Sequence, residues 1–343
     1  MKRFRIVMTL LALAAVALAA LLLLIGTVKI PAAEVAGILT GHPSDYEPWN
    51  FIVVESRLPL VATAALAGGA LAVSGLLLQT LFGNTLADPS ILGISTGASL
   101  GAGCVMLTLG GSFTTIFGIA AGGYAATLSG AFIGAMLVMA LLLAMSNIVK
   151  SSTMLLIVGI LIGYIASSAI SLLNFFATEE GVHSFVIWGL GNFSGVTLGQ
   201  LPVFAVIVAA GLASSLLLIK PLNALLLGRR YAENLGVNLR STRNALLVVT
   251  GVLTAVVTAF CGPIGFIGLV VPHISRLLLR TSDHYRLIPA AMLGGAVVAM
   301  ACTLVSVLPM GNGMIPINAI TPIVGVPVIL YVIINRRKIF YFN

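Results

Sequence analysis

Charge is the scarcest property of this 343-residue chain: Asp, Glu, Lys and Arg together make up 8% of it, with only nine acids. A soluble domain carries about 25% charged residues, because its surface must be polar. Here the positions that would form such a surface are Leu, Ala, Val and Gly, so water cannot be the main solvent. Soluble enzymes, nucleic-acid binders and disordered tails are thereby excluded. Cysteine is equally sparse. Cys104, Cys261 and Cys302 stand alone inside apolar stretches with no CxxC pair, which excludes a disulfide framework or a zinc site and predicts small buried packing residues. No G-x-x-x-x-G-K-[ST] motif occurs, so the chain has no loop to cradle ATP phosphates. No His, Cys and carboxylate cluster lies within the apolar runs, so the chain is expected to be no enzyme and to hold no metal or cofactor.

What is present is 59% hydrophobic residues and a mean hydropathy of +1.16. A bilayer core of about 30 Å needs about 20 apolar residues at helical rise. Cutting the chain where charges, Pro or Asn interrupt such runs gives ten segments: 6–28, 58–82, 91–109, 117–146, 153–173, 200–219, 244–262, 266–281, 287–308 and 316–334. The eighth is broken up by Pro263, Pro272, His273 and Arg276. The first follows Lys2, Arg3 and Arg5 as a secretory signal would, but it runs apolar to Ile25 and reads as an uncleaved helix. With an even number of spans and both termini cytoplasmic, all but Lys29 and Arg57 of the 17 Lys and Arg fall on the inner side, as short cytoplasmic loops require. The net charge of +8 therefore reflects membrane topology, not a nucleic-acid footprint.

Small residues repeat along the second segment at Ala64, Gly68, Ala72 and Gly75. In lipid, close backbone approach rather than hydrophobic drive holds helices together, so these predict a tightly packed bundle.

Irregular backbone at membrane depth is tolerated only against protein or a wet cavity, so interruptions point toward function. One runs from Ser74 and Gln79 through Gly83–Pro89 to Gly97. There a face ending in a constriction competes with Gln79 simply bonding a neighbouring helix. A second, Glu179–Gly199, holds an apolar stretch at Val182–Trp188 too short to span, which suits a re-entrant half-helix dipping from the outer face, or else a surface loop. A third, Cys261–Gly268, continues to Pro272, His273 and Arg276. Paired Gly- and Pro-broken spans in two halves of a chain suggest an internal repeat around a pathway.

These residues carry a resemblance. Arg57-Leu58-Pro59, Ser74-Gly75 with Gln79, Asn84-x-Leu86-Ala87-Asp88-Pro89, Leu92-Gly93-x-Ser95-x-Gly97-Ala98, Gly262–His273 with Arg276, and Pro316, Pro322, Gly325 and Pro327 together resemble the FecCD/BtuC family over about residues 50–335. Those are permease subunits of type II ABC importers for iron-siderophores, haem and cobalamin. The resemblance implies an all-α polytopic membrane protein of about ten transmembrane helices with a re-entrant outer half-helix. Residues 1–343 would form one transmembrane permease domain with a cytoplasmic coupling loop at about 220–243. The partners implied are a second copy of the chain, ABC ATPase subunits inside, and a periplasmic or lipid-anchored substrate-binding protein outside. The setting implied is the bacterial inner membrane.

By the same resemblance Ala232-Glu233-Asn234-Leu235-Gly236 matches the family's A-x-x-L-G coupling signature. Arg229 and Arg230 stand beside it, and Leu222–Leu227 and Arg230–Leu235 can form two short helices. The cytoplasmic gate maps to Asn84, Thr85 and Leu86, with Ser152, although Gly83 and Thr85 depart from the family's Arg-Asn-Pro-Leu. Ser74 and Gln79 would line the pathway. Arg57 matches one position at which the family docks its binding protein by charge pairing. The other docking positions carry Leu60, Cys302 and Ser306. Of His42, His183, His273 and His284, only His183 on the outer half-helix invites a test as a haem ligand.

An ion-coupled secondary transporter is the competing reading. Acids buried within spans would favour it, and all nine acids lie in predicted loops. An importer permease that borrows its energy from a separate ATPase is therefore expected, with siderophore, haem and cobalamin all open as cargo.

Overall fold

The structure is a computed structural model describing residues 2–109, 114–116, 119–121, 123–149, 151–308 and 314–334. Lys150, Arg336, Arg337, Lys338 and the start of the predicted fourth segment at 117 lie outside the described residues.

Helices account for almost all of it. α1 (Lys2–Leu24) and α2 (Ala32–Leu39) lead to α3 (Glu47–Phe51), which passes through a π-helical turn at Ile52–Arg57 into α4 (Leu58–Phe82). A 3-10 turn at Pro89–Leu92 precedes α5 (Ile94–Leu109). Two three-residue strands, β1 (Thr114–Ile116) and β2 (Ile119–Ala121), pair antiparallel before α6 (Gly123–Ile148) and α7 (Ser152–Phe176). Then come α8 (Glu179–Gly189), α9 (Leu201–Leu217), α10 (Ile219–Leu226) and α11 (Arg229–Asn234). The chain closes with α12 (Leu239–Cys261), α13 (Ile267–Leu279), α14 (His284–Val307) and α15 (Ile317–Ile334).

Side-chain caps set many of these starts by satisfying first-turn N–H groups that have no intrahelical partner. Ser151 accepts from Met154 N at the head of α7, Thr178 from Gly181 N at α8, Asn238 from Ser241 N at α12 and Asp283 from Tyr285 N at α14. α4 ends at Gly83, whose φ of 58° only glycine adopts without strain.

Among the described residues, six helices are long and apolar enough to cross a membrane, or seven if α9 and α10, bent by 51° at Leu218, form one span. Three shorter apolar helices, α5, α13 and α15, occupy the predicted segments 91–109, 266–281 and 316–334. Each of the ten predicted segments thus holds an apolar helix. Two boundaries differ from the predicted ones: the helix of the fourth segment begins at Gly123 rather than 117, and that of the sixth breaks at Leu218.

α4 is the axis of the bundle, with 83% of its most apolar window buried, whereas α1 and α7 bury only 11% and 17% and turn apolar side chains outward. The small-residue face of α4 permits this. A Cβ on Gly75 would stand 1.8 Å from the Gly268 carbonyl oxygen, and one on Gly68 2.2 Å from that of Gly295. Backbone therefore meets backbone between α4 and both α13 and α14. Cys261 and Cys302 are buried as expected, but Cys104 is exposed on α5, because the apolar face it occupies looks outward.

The Gly75–Gly268 contact also joins two of the interruptions. A Cβ on Gly268 would approach Asp88 Oδ1 at 2.7 Å, so the 83–93 loop and the head of α13 fold back to the level of mid-α4. Asp88 is the one acid of the nine that is buried, 7% exposed. Its carboxylate accepts from Ser90 N and Ser90 Oγ at 3.3 and 2.5 Å. All nine acids lie outside the ten predicted apolar segments, but Glu34, Glu47, Glu55, Glu179, Glu180 and Glu233 sit on helical elements rather than in loops, and the loop that carries Asp88 returns into the protein.

Candidate functional site: coupling loop, gate and polar relay

Hydrogen bonds gather one end of the bundle into a basic face. Arg3 at the start of α1 donates to Leu278 O of α13 at 2.6 Å. Arg240 Nε donates to Asn147 Oδ1 at 3.0 Å and Arg243 to the Val149 and Ser146 carbonyls, tying the head of α12 to the end of α6. Arg229 donates to Ser152 Oγ at 3.1 Å, which adds the head of α7.

On this face α10 and α11 form the two short helices expected of the coupling loop. Ala232 is fully buried, Leu235 and Tyr231 are 58% and 54% exposed, and Arg229, Arg230 and Glu233 are exposed. Gly236 turns the chain with φ 83°. The result is a knob anchored by one small residue and capped by a leucine, a tyrosine and charges. Beside it opens a cavity of about 490 Å³ lined by Asn147, Arg229, Glu233, Val237–Arg240 and Arg243. Three guanidinium groups and one carboxylate give it a cationic lining suited to an acidic or carbonyl-rich surface.

The knob is bonded to the membrane core through a relay that sequence reasoning missed. Asn223 of α10 donates from Nδ2 to Asp283 Oδ1 at 2.8 Å, which turns its Oδ1 toward His284, where it accepts from both the backbone N and Nδ1 at 2.9 Å. Nδ1 therefore carries the proton and Nε2 is free to accept from Thr80 Oγ1, 2.8 Å away on α4. His284 is fully buried. One residue before Thr80, Gln79 donates from Nε2 to Leu269 O at 3.2 Å and accepts from Arg276 at 2.5 Å on Oε1. The signal in the sequence was polar side chains at Thr80, Arg276 and His284 beside long apolar runs.

The same helix ends at the loop to which the family resemblance assigns the gate. Asn84 Oδ1 accepts from Leu86 N at 3.0 Å, and the Thr85 carbonyl accepts from His273 Nε2 at 2.8 Å. The loop is thus a tight turn held to α13, with Leu86 45% exposed at its tip. Ser152 is brought to Arg229 of the coupling loop, and among the described residues no hydrogen bond joins it to Asn84–Leu86. Ser74 and Gln79 are fully buried, so neither side chain is open to solvent in this structure. The amide bonds neighbouring helices because a buried guanidinium and a helix carbonyl both need a partner.

Arg57 also departs from expectation. It is 4% exposed and donates to the Leu23, Leu24 and Val28 carbonyls at 2.6, 3.0 and 2.5 Å. It caps the end of α1, whose last carbonyls lack helical partners, and its guanidinium is not offered to a docking protein. Leu60, Cys302 and Ser306 are buried as well. On the face opposite the basic one, Asp45, Glu47, Glu55, Glu179 and Glu180 are exposed. His183 is exposed on α8, and no group of three metal-ligating side chains exists among the described residues.

Residues 10–335 match the FecCD transport family. The chain is 36% identical over 288 residues to the vitamin B12 import system permease protein BtuC of Klebsiella pneumoniae, covering 84% of each chain, and 33% identical over 296 residues to that of Salmonella typhimurium, covering 84% and 85%. Its fold matches a solved metal-chelate type ABC transporter in an inward-facing conformation with a TM-score of 0.81 and 28% identity, covering 96% of this chain and 98% of that one. Fold and relatives together define a permease of an ABC importer, a transport protein rather than an enzyme. The chain belongs to the FecCD transport family.

Proposed function

We propose that this chain is the membrane-spanning subunit that carries a bulky metal chelate, cobalamin or an iron chelate such as a siderophore or haem, inward across a bacterial inner membrane. Two copies would frame the path, separate ABC ATPase subunits would supply the energy, and a substrate-binding protein would deliver the cargo. The basic face would be cytoplasmic, with both termini inside. The observation that carries this reading is the α10–α11 knob bonded through Asn223, His284 and Thr80 to the helix that ends in the Asn84–Leu86 gate. A movement imposed on Ala232–Gly236 would reach Asn223 along the α10–α11 backbone, cross to Thr80 through hydrogen bonds, and reach the 84–86 turn along the last turn of α4. Gln79 and Ser74 are not part of the path in this reading, and Ser152 acts through Arg229.

The ATPase would meet Arg229, Arg230, Ala232, Glu233, Leu235 and Gly236. Since Arg57 is occupied, a docking protein meets an outer face whose exposed charges are mostly acidic, and its complementary side would be basic. The named relatives make cobalamin the first cargo to test. In proteoliposomes holding the complex with its ATPase and binding protein, labelled cobalamin uptake should be ATP-dependent and resist competition by excess ferric siderophore or haem. Uptake of the iron chelate alone would reassign the cargo. Deleting 232–236 should abolish uptake without preventing membrane insertion.

A further inference from the structure

Asn318, at the head of α15, is the one polar residue among 314–320, and its side chain holds together three elements distant in sequence. Nδ2 donates to Gly189 O at 3.2 Å and to Pro263 O at 2.6 Å, while Oδ1 accepts from Gly265 N at 3.3 Å. Its backbone N donates to Leu190 O at 3.3 Å, and Asn192 N donates to Cys261 O at 2.8 Å. One amide therefore spans the end of half-helix α8, the break between α12 and α13, and the start of α15.

All the groups it engages belong to backbone without a regular partner: a helix-end carbonyl and two positions in an irregular loop. At membrane depth such groups must find protein or water. Gly262 makes the approach possible, with φ 74° and a Cβ position only 2.4 Å from the Trp188 carbonyl oxygen. Beneath this junction lies a cavity of about 310 Å³ lined by Ser90, Ser95, Pro263–Phe266, Asn318 and Pro322. That volume is at the lower bound of roughly 300–1,000 Å³ typical of small-molecule sites. A bulky chelate entering it needs the walls to move apart, and two of those walls, the α12–α13 break and the head of α15, are elements that Asn318 joins.

We propose that Asn318 is a positioning residue that latches the outer gate: its side-chain bonds hold α8 and the α12–α13 break against α15, and they must open for cargo to enter the cavity. This rests on the importer reading above for its role in transport, but not for the closure itself. When the latch opens, the freed Gly189, Pro263 and Gly265 groups face the widened cavity and bond water instead, so the bonds exchange partners. Three neutral bonds of 2.6 to 3.3 Å are a connection that can exchange repeatedly, unlike a buried ion pair.

The test uses the full complex with its ATPase in proteoliposomes, with Cys104, Cys261 and Cys302 replaced by Ala and a single probe, Ser95→Cys, in the cavity wall. A membrane-impermeant anionic thiol reagent is added to the outer side without ATP or cargo. Asn318→Leu, which can make none of the bonds, should raise the modification rate at least about fivefold. Asn318→Asp, which keeps an acceptor and loses both donors, should raise it by less. Basal ATP hydrolysis without binding protein should rise in the same order. Thermal midpoint and co-purification with the ATPase establish folding, and if the Leu variant fails to assemble the Asp variant decides. Unchanged modification in a folded variant overturns the latch. The labelling readout needs no transport, so a complex that labels as expected but imports nothing would instead count against the functional reading.

Discussion

Arg57 separates what the family pattern implies from what this chain does with the residue. In Arg57→Ala the Leu23, Leu24 and Val28 carbonyls lose donors at 2.6, 3.0 and 2.5 Å. Hydrogen bonds to charged groups contribute about 1.5–3 kcal/mol each, so an upper figure is about 4–9 kcal/mol. Leu24 and Val28 are 38% and 42% exposed, however, and water at the membrane edge can replace part of the loss. With about 1 kcal/mol surviving per bond, the cost is about 3 kcal/mol. The purified permease should melt several degrees lower, and the segment after Leu24 should become sensitive to protease. Arg57→Lys should recover little of this, since a single ammonium cannot reproduce the guanidinium's fixed fork of donors. Affinity for the binding protein should stay within about twofold for any folded variant. An unchanged melting point with docking weakened about tenfold, which is 1.4 kcal/mol, would refute the capping role and restore the docking one.

Other variants bear on the relay and the packing. His284→Ala or Asn223→Ala should leave the complex assembled and hydrolysing ATP while uptake falls about tenfold or more; equal loss of hydrolysis and uptake would point to the ATPase contact instead. Gly75→Val places a side chain where only 1.8 Å separates a Cβ from Gly268 O. It should cost about 1–3 kcal/mol or more by overpacking, read as a lower melting point and poor yield, with Gly75→Ala milder. Gln79→Leu removes a partner of buried Arg276 and should cost about 1–3 kcal/mol, measured by thermal melting. A pathway role for Gln79 would show the reverse, altered uptake with normal stability.

The bundle was legible in the sequence because lipid enforces a simple length rule. Even the short spans at 266–281 and 316–334 follow once Pro and Gly are allowed at membrane depth. The two short helices α10 and α11 were legible because Arg229–Gly236 interrupts apolar chain with charge, while their coupling role came from the family resemblance. Side-chain orientation was not. Gln79 reads identically whether it faces a pathway or Arg276, and the choice depends on a residue 197 positions away. Arg57 looked free because its partners are backbone carbonyls at the end of α1 and in the turn after it, which composition does not reveal. Asn223, His284 and Thr80 each look like an isolated polar residue, and only the fold makes them a chain. Asp88 lies in a loop by sequence, but the close contact of Gly75 with Gly268 leads that loop back into the protein.

The central claim is that energy enters this chain through its basic face from a separate nucleotide-hydrolysing partner. Uptake into proteoliposomes measures it most directly, with the ATPase subunit present, absent, or inactivated at its phosphate loop. Concentrative uptake is expected only with the active subunit, unaffected by collapsing the proton and sodium gradients. Uptake that persists without the subunit and follows an ion gradient would contradict the account.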